Sequence, residues 1–193
     1  AAGLTPLATT SDGGGSVRAP ASSSGLVGYK PSMGAIGRNV LPRWIDFSTQ
    51  GTSGHSVADV AYEAAVTHGP ANGDFLGLPA KSIALDFLMP RRVLACRTFR
   101  TDVDPDSEAN YESMIDALVA SGVTVERVAS PSDNDTIWNW FIMSTAQLTQ
   151  SLRHEEHRWG ELSDYVQAQL QFGSSVTIDK YIAAQRKRHE ISI

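Results

Sequence analysis

The glycines of this chain are concentrated near its beginning, and this uneven distribution is the feature that most restricts its fold. Eight of the 16 glycines lie within the first 37 residues, together with six serines and only three charged residues, Asp12, Arg18 and Lys30. A disordered segment would carry high charge and few apolar residues, whereas leucine, valine, isoleucine and proline stand between these glycines. We therefore predict a tightly packed site in this region.

The length and charge of the sequence predict one soluble domain. The chain has 193 residues, a formal net charge of −5 and 41% hydrophobic residues, which is enough to bury a core. The acidic balance argues against a direct nucleic-acid partner, and no apolar run approaches the roughly 20 residues that span a membrane. The single cysteine, Cys96, cannot form an internal disulfide and is expected to be buried and inert. We expect a cytoplasmic protein, because nothing here requires an oxidising compartment.

Hydrophobic periodicity and glycine or proline breaks predict a series of strands and helices, with an irregular segment over 31–54. These are strands over 4–10, 26–29, 92–98 and 123–128, and helices over 56–67, 104–121, 134–158, 161–171 and 177–190. Ser56 and Asp59 have the spacing of a capping box at the start of the first helix. The strand, helix, strand order over 92–128 predicts a right-handed crossover between two parallel strands.

The chemistry of the chain is best argued from residues 11–25, SDGGGSVRAPASSSG. Three consecutive glycines before Ser16 allow positive φ values and remove every Cβ near its hydroxyl. Backbone amides of such a loop can converge on one point, which is what the oxyanion of an acyl-transfer intermediate requires. Asp12 and Arg18 flank the loop and are expected to pair and fix its two ends.

Other interpretations of this loop compete with acyl transfer. A glycine triplet with a serine is most often a simple turn. The phosphate-binding loop is excluded because Val17 and Arg18, rather than lysine and serine or threonine, complete the pattern. The dinucleotide pattern GxGxxG is absent, and the nucleophile elbow GxSxG would need glycine where Arg18 stands.

The run GLTPLATTSDGGGSVRAPASSSGLVGYKPSMGAIGR closely resembles the signature sequence of the amidase signature family. The similarity continues through GTSGHSVAD at 51–59, the strand at 92–98 and VTIDKYIAAQRKRHEI at 176–191. The resemblance covers essentially the whole chain. It implies an α/β fold with a mixed, largely parallel sheet covered by helices on both faces, of which this chain is an incomplete central portion.

The family hydrolyses carboxylic amides through a triad of serine, cis-serine and lysine, and the resemblance assigns roles position by position. Ser16 matches the nucleophile, and the backbone amides of Gly13, Gly14, Gly15 and Ser16 match the oxyanion hole. Asp12 and Arg18 match the supporting pair, and Ser11 stands where many members have threonine. Neither a metal nor a cofactor is implied.

The other two members of the family's triad are not found in this sequence. The cis-serine motif GGSSGGS is missing, and neither Lys30 nor Lys81 lies in the context of the family's lysine. We therefore expect residues 1–193 to be the central part of a single amidase signature domain, whose N-terminal and C-terminal parts are absent. The segment alone is expected to be inactive, because nothing in it can deprotonate Ser16. Gly54, His55 and the serines at 22–24 depart from the family pattern and leave the substrate open.

Three functions follow from this resemblance. The first is an amidase that acts on a small-molecule amide and releases ammonia or an amine, with no membrane partner and with a homodimer as one assembly. The second is the amidase component of a tRNA-dependent glutamine amidotransferase, although the residues after Lys30 match that subfamily poorly. The third is a catalytically degenerate amidase-fold binding module.

Two further clusters have simpler interpretations. His154 and His157 are spaced as metal ligands can be, but a solvated helix face is the better interpretation. The apolar and aromatic residues at 137–142 are expected to form helix core, with the lining of an acyl pocket as the alternative.

Overall fold

A computed structural model describes residues 2–39, 44–45, 47–79, 88–98, 102–130 and 134–191. The chain divides into two compact units, one over residues 1–87 and one over 88–193. Both units combine helices with a small sheet, so the predicted mixed α/β class is confirmed.

The described residues of the first unit form three strands and two helices. They are β1 (Leu7–Asp12), α1 (Arg18–Ser23), β2 (Val27–Tyr29), β3 (Thr49–Gly54) and α2 (Val57–Thr67). The sheet order is β1-β3-β2, and both pairings are antiparallel. The register of β1 against β3 runs from Leu7 opposite Gly54 to Asp12 opposite Thr49.

The central strand β3 occupies the last six residues of the segment over 31–54 that is predicted to be irregular, so the prediction is wrong for residues 49–54. Its sequence, TQGTSG, holds two glycines, which normally weaken a strand. Here they permit close packing: a Cβ on Gly51 would lie 2.5 Å from the Tyr29 carbonyl oxygen, and one on Gly54 would lie 2.9 Å from Leu7 Cδ2. Pairing on both sides therefore outweighs the poor intrinsic propensity of these residues.

Helix α2 begins as its sequence predicts. The Ser56 hydroxyl accepts a hydrogen bond from the Asp59 amide at 3.1 Å and donates one to the Asp59 carboxylate at 2.7 Å. Val60 and Ala64 are buried, while Val57 at the first helical position is exposed. The Ser56 N-cap thus sets the start of the helix, with Asp59 binding its hydroxyl rather than its backbone amide, and His68 forms the C-cap.

The second unit opens with the predicted βαβ crossover, formed by β4 (Arg92–Cys96), α3 (Pro105–Ala120) and β5 (Thr124–Val128). The strands are parallel, with Arg92 opposite Thr124 and Cys96 opposite Val128. Ala95, Ile115 and Val123 form its buried core. The parallel pairing is confirmed here, but among the described strands it occurs only in this pair. The expected predominance of parallel pairing is not observed, because β1, β2 and β3 pair antiparallel.

The rest of this unit is helical, as predicted, but its boundaries differ from the prediction. It contains α4 (Asn134–Leu152), a 3₁₀ segment (Arg153–Glu161), α5 (Asp164–Ser174) and α6 (Ile178–Ile191). The α-helix stops at Leu152 rather than at residue 158, and the Trp159 indole N–H donates to the Leu152 carbonyl at 3.0 Å. This bond satisfies one of the terminal carbonyls that a helix leaves unpaired.

Gly173 falls between the two helices predicted over 161–171 and 177–190, but in the structure it lies inside α5 and is buried. A Cβ at this position would lie 2.2 Å from Thr149 Oγ1 and 2.3 Å from the Thr145 carbonyl oxygen, both on α4. The glycine therefore allows the two helices to approach closely rather than ending one of them.

Candidate active site

The glycine loop connects the end of β1 to the start of α1, over residues 13–17. Asp12, the last residue of β1, pairs with Thr49 of β3, and Arg18 is the first residue of α1. Both ends of the loop are thus fixed by regular structure. The strand, loop, helix arrangement places Ser16 two residues before the helix begins.

The Asp12 carboxylate holds the loop through hydrogen bonds to its backbone amides. Its side chain is 1% exposed, and its two carboxylate oxygens accept four hydrogen bonds. Oδ1 accepts from the Gly15 amide at 2.6 Å and from Arg18 Nη2 at 3.1 Å. Oδ2 accepts from Arg18 Nε at 2.9 Å and from the Val17 amide at 3.2 Å. The expected pairing of Asp12 with Arg18 is therefore present in the structure, and the carboxylate also holds two backbone amides of the loop.

These contacts determine the charge of the pair. Burial alone would raise the pKa of the Asp12 carboxyl, but hydrogen bonds from Arg18, Gly15 and Val17 outweigh it and hold that pKa well below its usual value of 3.8. The hydrogen bond to Asp12 likewise raises the pKa of the Arg18 guanidinium. The pair is ionised at neutral pH, as a charge-assisted bidentate contact requires.

The chain on either side of Ser16 turns this residue outward. Gly15 has a φ of +116°, a conformation that residues with a Cβ rarely adopt. Val17 is buried against Gly51 of β3 and Gly28 of β2, whereas Ser16 is exposed. The buried valine and the positive φ of Gly15 together direct the Ser16 side chain away from the sheet.

The four amides expected to form an oxyanion hole are not equivalent. The Gly15 N–H is already donated to Asp12. By contrast, the N–H groups of Gly14 and Ser16 donate to no other group in the described part of the chain, and Ser16 Oγ also makes no hydrogen bond there. Gly14 and Ser16 therefore hold the amides that can receive a developing negative charge without first losing a partner.

Trp44, a residue distant in sequence, lies directly against the loop. A Cβ on Gly13 would lie 2.4 Å from Cε3 of Trp44 and 3.3 Å from Oγ of Ser48. Gly13 is thus a glycine because the indole ring occupies the space of a side chain. No local sequence signal identifies this contact, since Trp44 lies 31 residues further along the chain.

The remaining candidate residues lie elsewhere in the structure. Ser11 is an exposed residue of β1 opposite Gln50. Lys30 donates to the Pro31 carbonyl at 2.8 Å, and Lys81 lies outside the described residues. Cys96 is half-buried rather than buried, because it lies at the end of β4, where its thiol donates to the Thr98 carbonyl at 3.2 Å.

The histidines fit their simpler interpretation. His55, His154 and His157 are exposed, and His68 stacks on Tyr29 with a 3.2 Å contact between its Nε2 and the phenol oxygen. Among the described residues, no group of three or more His, Cys, Asp or Glu side chains could hold a metal ion.

The aromatic residues near the start of α4 are only partly core. Ile142 is buried, but Ile137 and Trp138 are 59% and 52% exposed. Trp138 and Phe141 both contact Phe172 of α5, with ring centroids 5.4 and 5.0 Å apart. The prediction of a helix core is therefore wrong for Ile137 and Trp138, more than half of whose surface is exposed. None of the described helices is long and apolar enough to cross a bilayer.

The chain matches a family profile and is similar to several known proteins. A family profile described as Amidase matches residues 1–192. The A subunit of the glutamyl-tRNA(Gln) amidotransferase of Symbiobacterium thermophilum is 31% identical over 173 residues, covering 83% of this chain and 34% of that protein. The protein of the same name from Deinococcus radiodurans is 30% identical over 167 residues, covering 83% of this chain and 35% of that protein. The chain spans about a third of the length of these curated relatives.

Solved structures share the fold at lower identity. The structure of 6-aminohexanoate cyclic dimer hydrolase is 22% identical, with a TM-score of 0.81 over 97% of this chain and 43% of that chain. A bacterial aryl acylamidase described as belonging to the amidase signature enzymes is also 22% identical, with a TM-score of 0.80 over 97% of this chain and 42% of that chain. The fold of this chain is therefore a partial portion of the fold seen in these larger structures.

Proposed function

The chain belongs to the Amidase family, as its resemblance to the amidase signature sequence predicts, and we propose that its protein hydrolyses carboxylic amide bonds through an acyl-enzyme on Ser16. One observation carries the proposal. The glycine loop, held by the ionised Asp12–Arg18 pair, presents an exposed serine beside two unpaired backbone amides in the described part of the chain, those of Gly14 and Ser16.

In the proposed mechanism, Ser16 Oγ attacks the carbonyl carbon of the amide. The carbonyl oxygen becomes an oxyanion, and the amides of Gly14 and Ser16 donate hydrogen bonds to it. Gly13 and Gly15 shape the loop around these donors. Collapse of the tetrahedral intermediate breaks the C–N bond, and the nitrogen takes up the proton that Ser16 lost and leaves as ammonia or an amine. Water then hydrolyses the ester on Ser16, which releases the carboxylic acid and restores the serine hydroxyl.

Ser16 Oγ makes no hydrogen bond within the described residues, so the structure identifies no base for its proton among them. We propose that the base is the cis-serine and lysine pair implied by the family resemblance, and that residues 1–193 are the central part of one catalytic domain. The chain's coverage of about a third of its curated relatives supports this assignment. On this proposal the 193-residue segment alone has no turnover.

Asp12 and Arg18 act by positioning. The carboxylate holds Gly15 and Val17 on either side of Ser16, so the loop is organised before substrate arrives. Preorganised donors stabilise the transition state without reorganising during the reaction, and losing one typically lowers the rate by about 10²–10³.

The test is covalent labelling of the native protein with a fluorophosphonate probe, read by mass spectrometry, together with turnover of a small carboxylic amide. We expect labelling on Ser16 and loss of both labelling and turnover in Ser16→Ala. Ser22→Ala is the matched control, because Ser22 is an exposed serine of α1. Full turnover by Ser16→Ala would refute the acyl-enzyme, and absence of both labelling and turnover in the native protein would favour the binding module.

A second candidate function is supported by the curated relatives, which are named as the A subunits of glutamyl-tRNA(Gln) amidotransferases. On this alternative, Ser16 attacks the side-chain amide of glutamine and the released ammonia is transferred to a charged tRNA. Both candidates share the same amide cleavage at Ser16. Glutamine hydrolysis that requires ATP and partner proteins would favour the amidotransferase, and hydrolysis of simple amides by the isolated protein would favour the amidase.

A further inference from the structure

We propose that Trp44 is a positioning residue for the glycine loop, and that the buried pair of Arg38 and Asp74 holds Trp44 in place. The inference rests on the proposed function, because the loop it concerns is the one that carries Ser16. Trp44 acts through Gly13 and is not assigned a contact with substrate.

The contact between Gly13 and Trp44 leaves no room for adjustment. A Cβ on Gly13 would lie 2.4 Å from Cε3 and 3.0 Å from Cζ3 of the indole. Separations below 3.0 Å do not occur between packed side chains, so any residue larger than glycine must displace either the ring or the loop. The indole therefore packs against the first residue of the loop, whereas the Asp12 carboxylate binds the amides of Gly15 and Val17 further along it.

Trp44 is in turn held by a short turn that leads into β3. The Ser48 amide donates to the Trp44 carbonyl at 3.1 Å, and Ser48 Oγ lies on the same side of Gly13 as the indole. The next residue, Thr49, pairs with Asp12 in the sheet. The turn therefore links two contacts with the start of the loop. Trp44 packs against Gly13, and Thr49 pairs with Asp12.

The buried Arg38 side chain holds this turn through a hydrogen bond to Ser48. Its Nη1 donates to the Ser48 carbonyl at 2.7 Å, and its backbone amide donates to Asp74 Oδ2 at 2.9 Å. The Arg38 and Asp74 side chains are only 6% and 4% exposed, with 4.0 Å between Nε and Oδ2. Leaving a buried guanidinium without its partners costs free energy of folding. The hydrogen bond from Arg38 therefore favours the observed position of the Ser48 carbonyl.

If the inference is correct, the effects of substituting Gly13 and Trp44 are not additive. A double-mutant cycle on the full-length native protein measures this coupling. The readout is the rate of fluorophosphonate labelling at Ser16. We expect Gly13→Ala to slow labelling by about 10²-fold, as a displacement of about 1 Å can do. In the Trp44→Ala background, the same substitution should cost less than about tenfold, because the methyl group then has space. An equal cost in both backgrounds would overturn the inference.

Additional variants separate positioning from general stability. Trp44→Phe should retain most of the labelling rate, since it keeps an aromatic ring against Gly13, and Arg38→Gln should slow labelling as Trp44→Ala does. Arg92→Gln is the matched control, because it breaks an ion pair to Glu126 that is exposed on both sides. For a positioning role, kcat falls while KM stays close to that of the native protein, and labelling is slow even at temperatures well below each variant's own unfolding midpoint. A loss of labelling that follows the thermal midpoint in every variant would instead show a purely structural role.

The failure of this inference can be told apart from the failure of the proposed function. If Ser16→Ala retains full turnover, the proposed function and the positioning role both fail. The same cycle measured by thermal unfolding then still reports whether Gly13 and Trp44 are in contact. If Ser16 is the nucleophile but the cycle in labelling is additive, only the positioning role fails.

Discussion

Asp12 and Arg18 form a bidentate ion pair across the glycine loop, with Nε to Oδ2 at 2.9 Å and Nη2 to Oδ1 at 3.1 Å. The pair is asymmetric, because the Asp12 side chain is 1% exposed and the Arg18 side chain is 56% exposed. The aspartate is therefore the structural partner, since it also receives the Gly15 and Val17 amides. The arginine supplies the charge that allows a carboxylate to stay ionised at a buried position.

The first prediction concerns the stability contributed by Asp12. Asp12→Ala leaves the Gly15 and Val17 amides without their acceptor, whereas the half-exposed Arg18 guanidinium can be rehydrated, and we expect the substitution to lower the free energy of unfolding by about 1–3 kcal/mol. Urea denaturation followed by circular dichroism measures the change. Glu126→Ala is the control, because it removes a carboxylate from an exposed ion pair and should cost no more than about 1 kcal/mol. Equal losses in the two variants would contradict the assigned role of Asp12.

The second prediction concerns pH. The folded pKa of Asp12 is held below its ordinary value of 3.8, so its ionised form stabilises the folded state above that value. This contribution falls as the pH drops below 3.8 toward the lowered folded pKa, because over that range the unfolded chain binds a proton that the folded protein does not. We expect the difference in unfolding free energy between the native protein and Asp12→Asn to be constant above about pH 5 and to shrink below about pH 4. A difference that grows on acidification would be inconsistent with the ionised pair.

The third prediction compares alanine substitutions at two glycines that both have positive φ, Gly15 and Gly25. Gly15 has a φ of +116° and Gly25 a φ of +65°, and a Cβ on either would meet nothing within 4 Å. Alanine at Gly25 enters the left-handed region and should cost about 1–2 kcal/mol. Gly15→Ala should cost more, because its φ of +116° lies outside that region, and it alone should slow labelling of Ser16. Thermal unfolding and fluorophosphonate labelling test the two effects, and equal labelling rates for both variants would count against a special role for Gly15.

The fourth prediction addresses the contact between α4 and α5. Gly173→Ala would place a methyl group 2.2 Å from Thr149 Oγ1 and 2.3 Å from the Thr145 carbonyl oxygen. Overpacking of this kind typically costs about 1–3 kcal/mol. Gly160→Ala is the matched control, because a Cβ there meets nothing within 4 Å. We expect a clear fall in the midpoint of urea unfolding for the first variant only, and a neutral Gly173→Ala would show that the helices can separate at no cost.

Several elements can be predicted because their signals lie within a few residues of one another. The N-cap formed by Ser56 with Asp59 sets the start of α2, and the order of apolar segments over 92–128 indicates a parallel crossover. The glycine triplet before Ser16 and the charged residues around it mark the candidate site from local sequence alone. In each case the interacting groups are close in sequence, so propensity, capping and loop rules apply directly.

Other elements cannot be predicted in this way because their causes lie far apart in the chain. Strand β3 carries glycines that indicate a turn, and it forms a strand only because β1 and β2 flank it. Gly173 resembles a helix terminator but is required by a neighbouring helix. Intrinsic preferences of this size, about 1 kcal/mol or less for each residue, are readily outweighed by packing and pairing.

The sequence by itself determined that this chain contains a glycine-rich loop before a serine, flanked by one acidic and one basic residue. It also determined the resemblance to amidases. Only the tertiary structure decided which amides remain available and what holds the loop. The Gly15 amide is taken by Asp12, while Trp44, 31 residues beyond Gly13, closes one side of the loop. The physical reason is that hydrogen-bond occupancy and close packing depend on groups brought together by folding, which no local pattern of residues records.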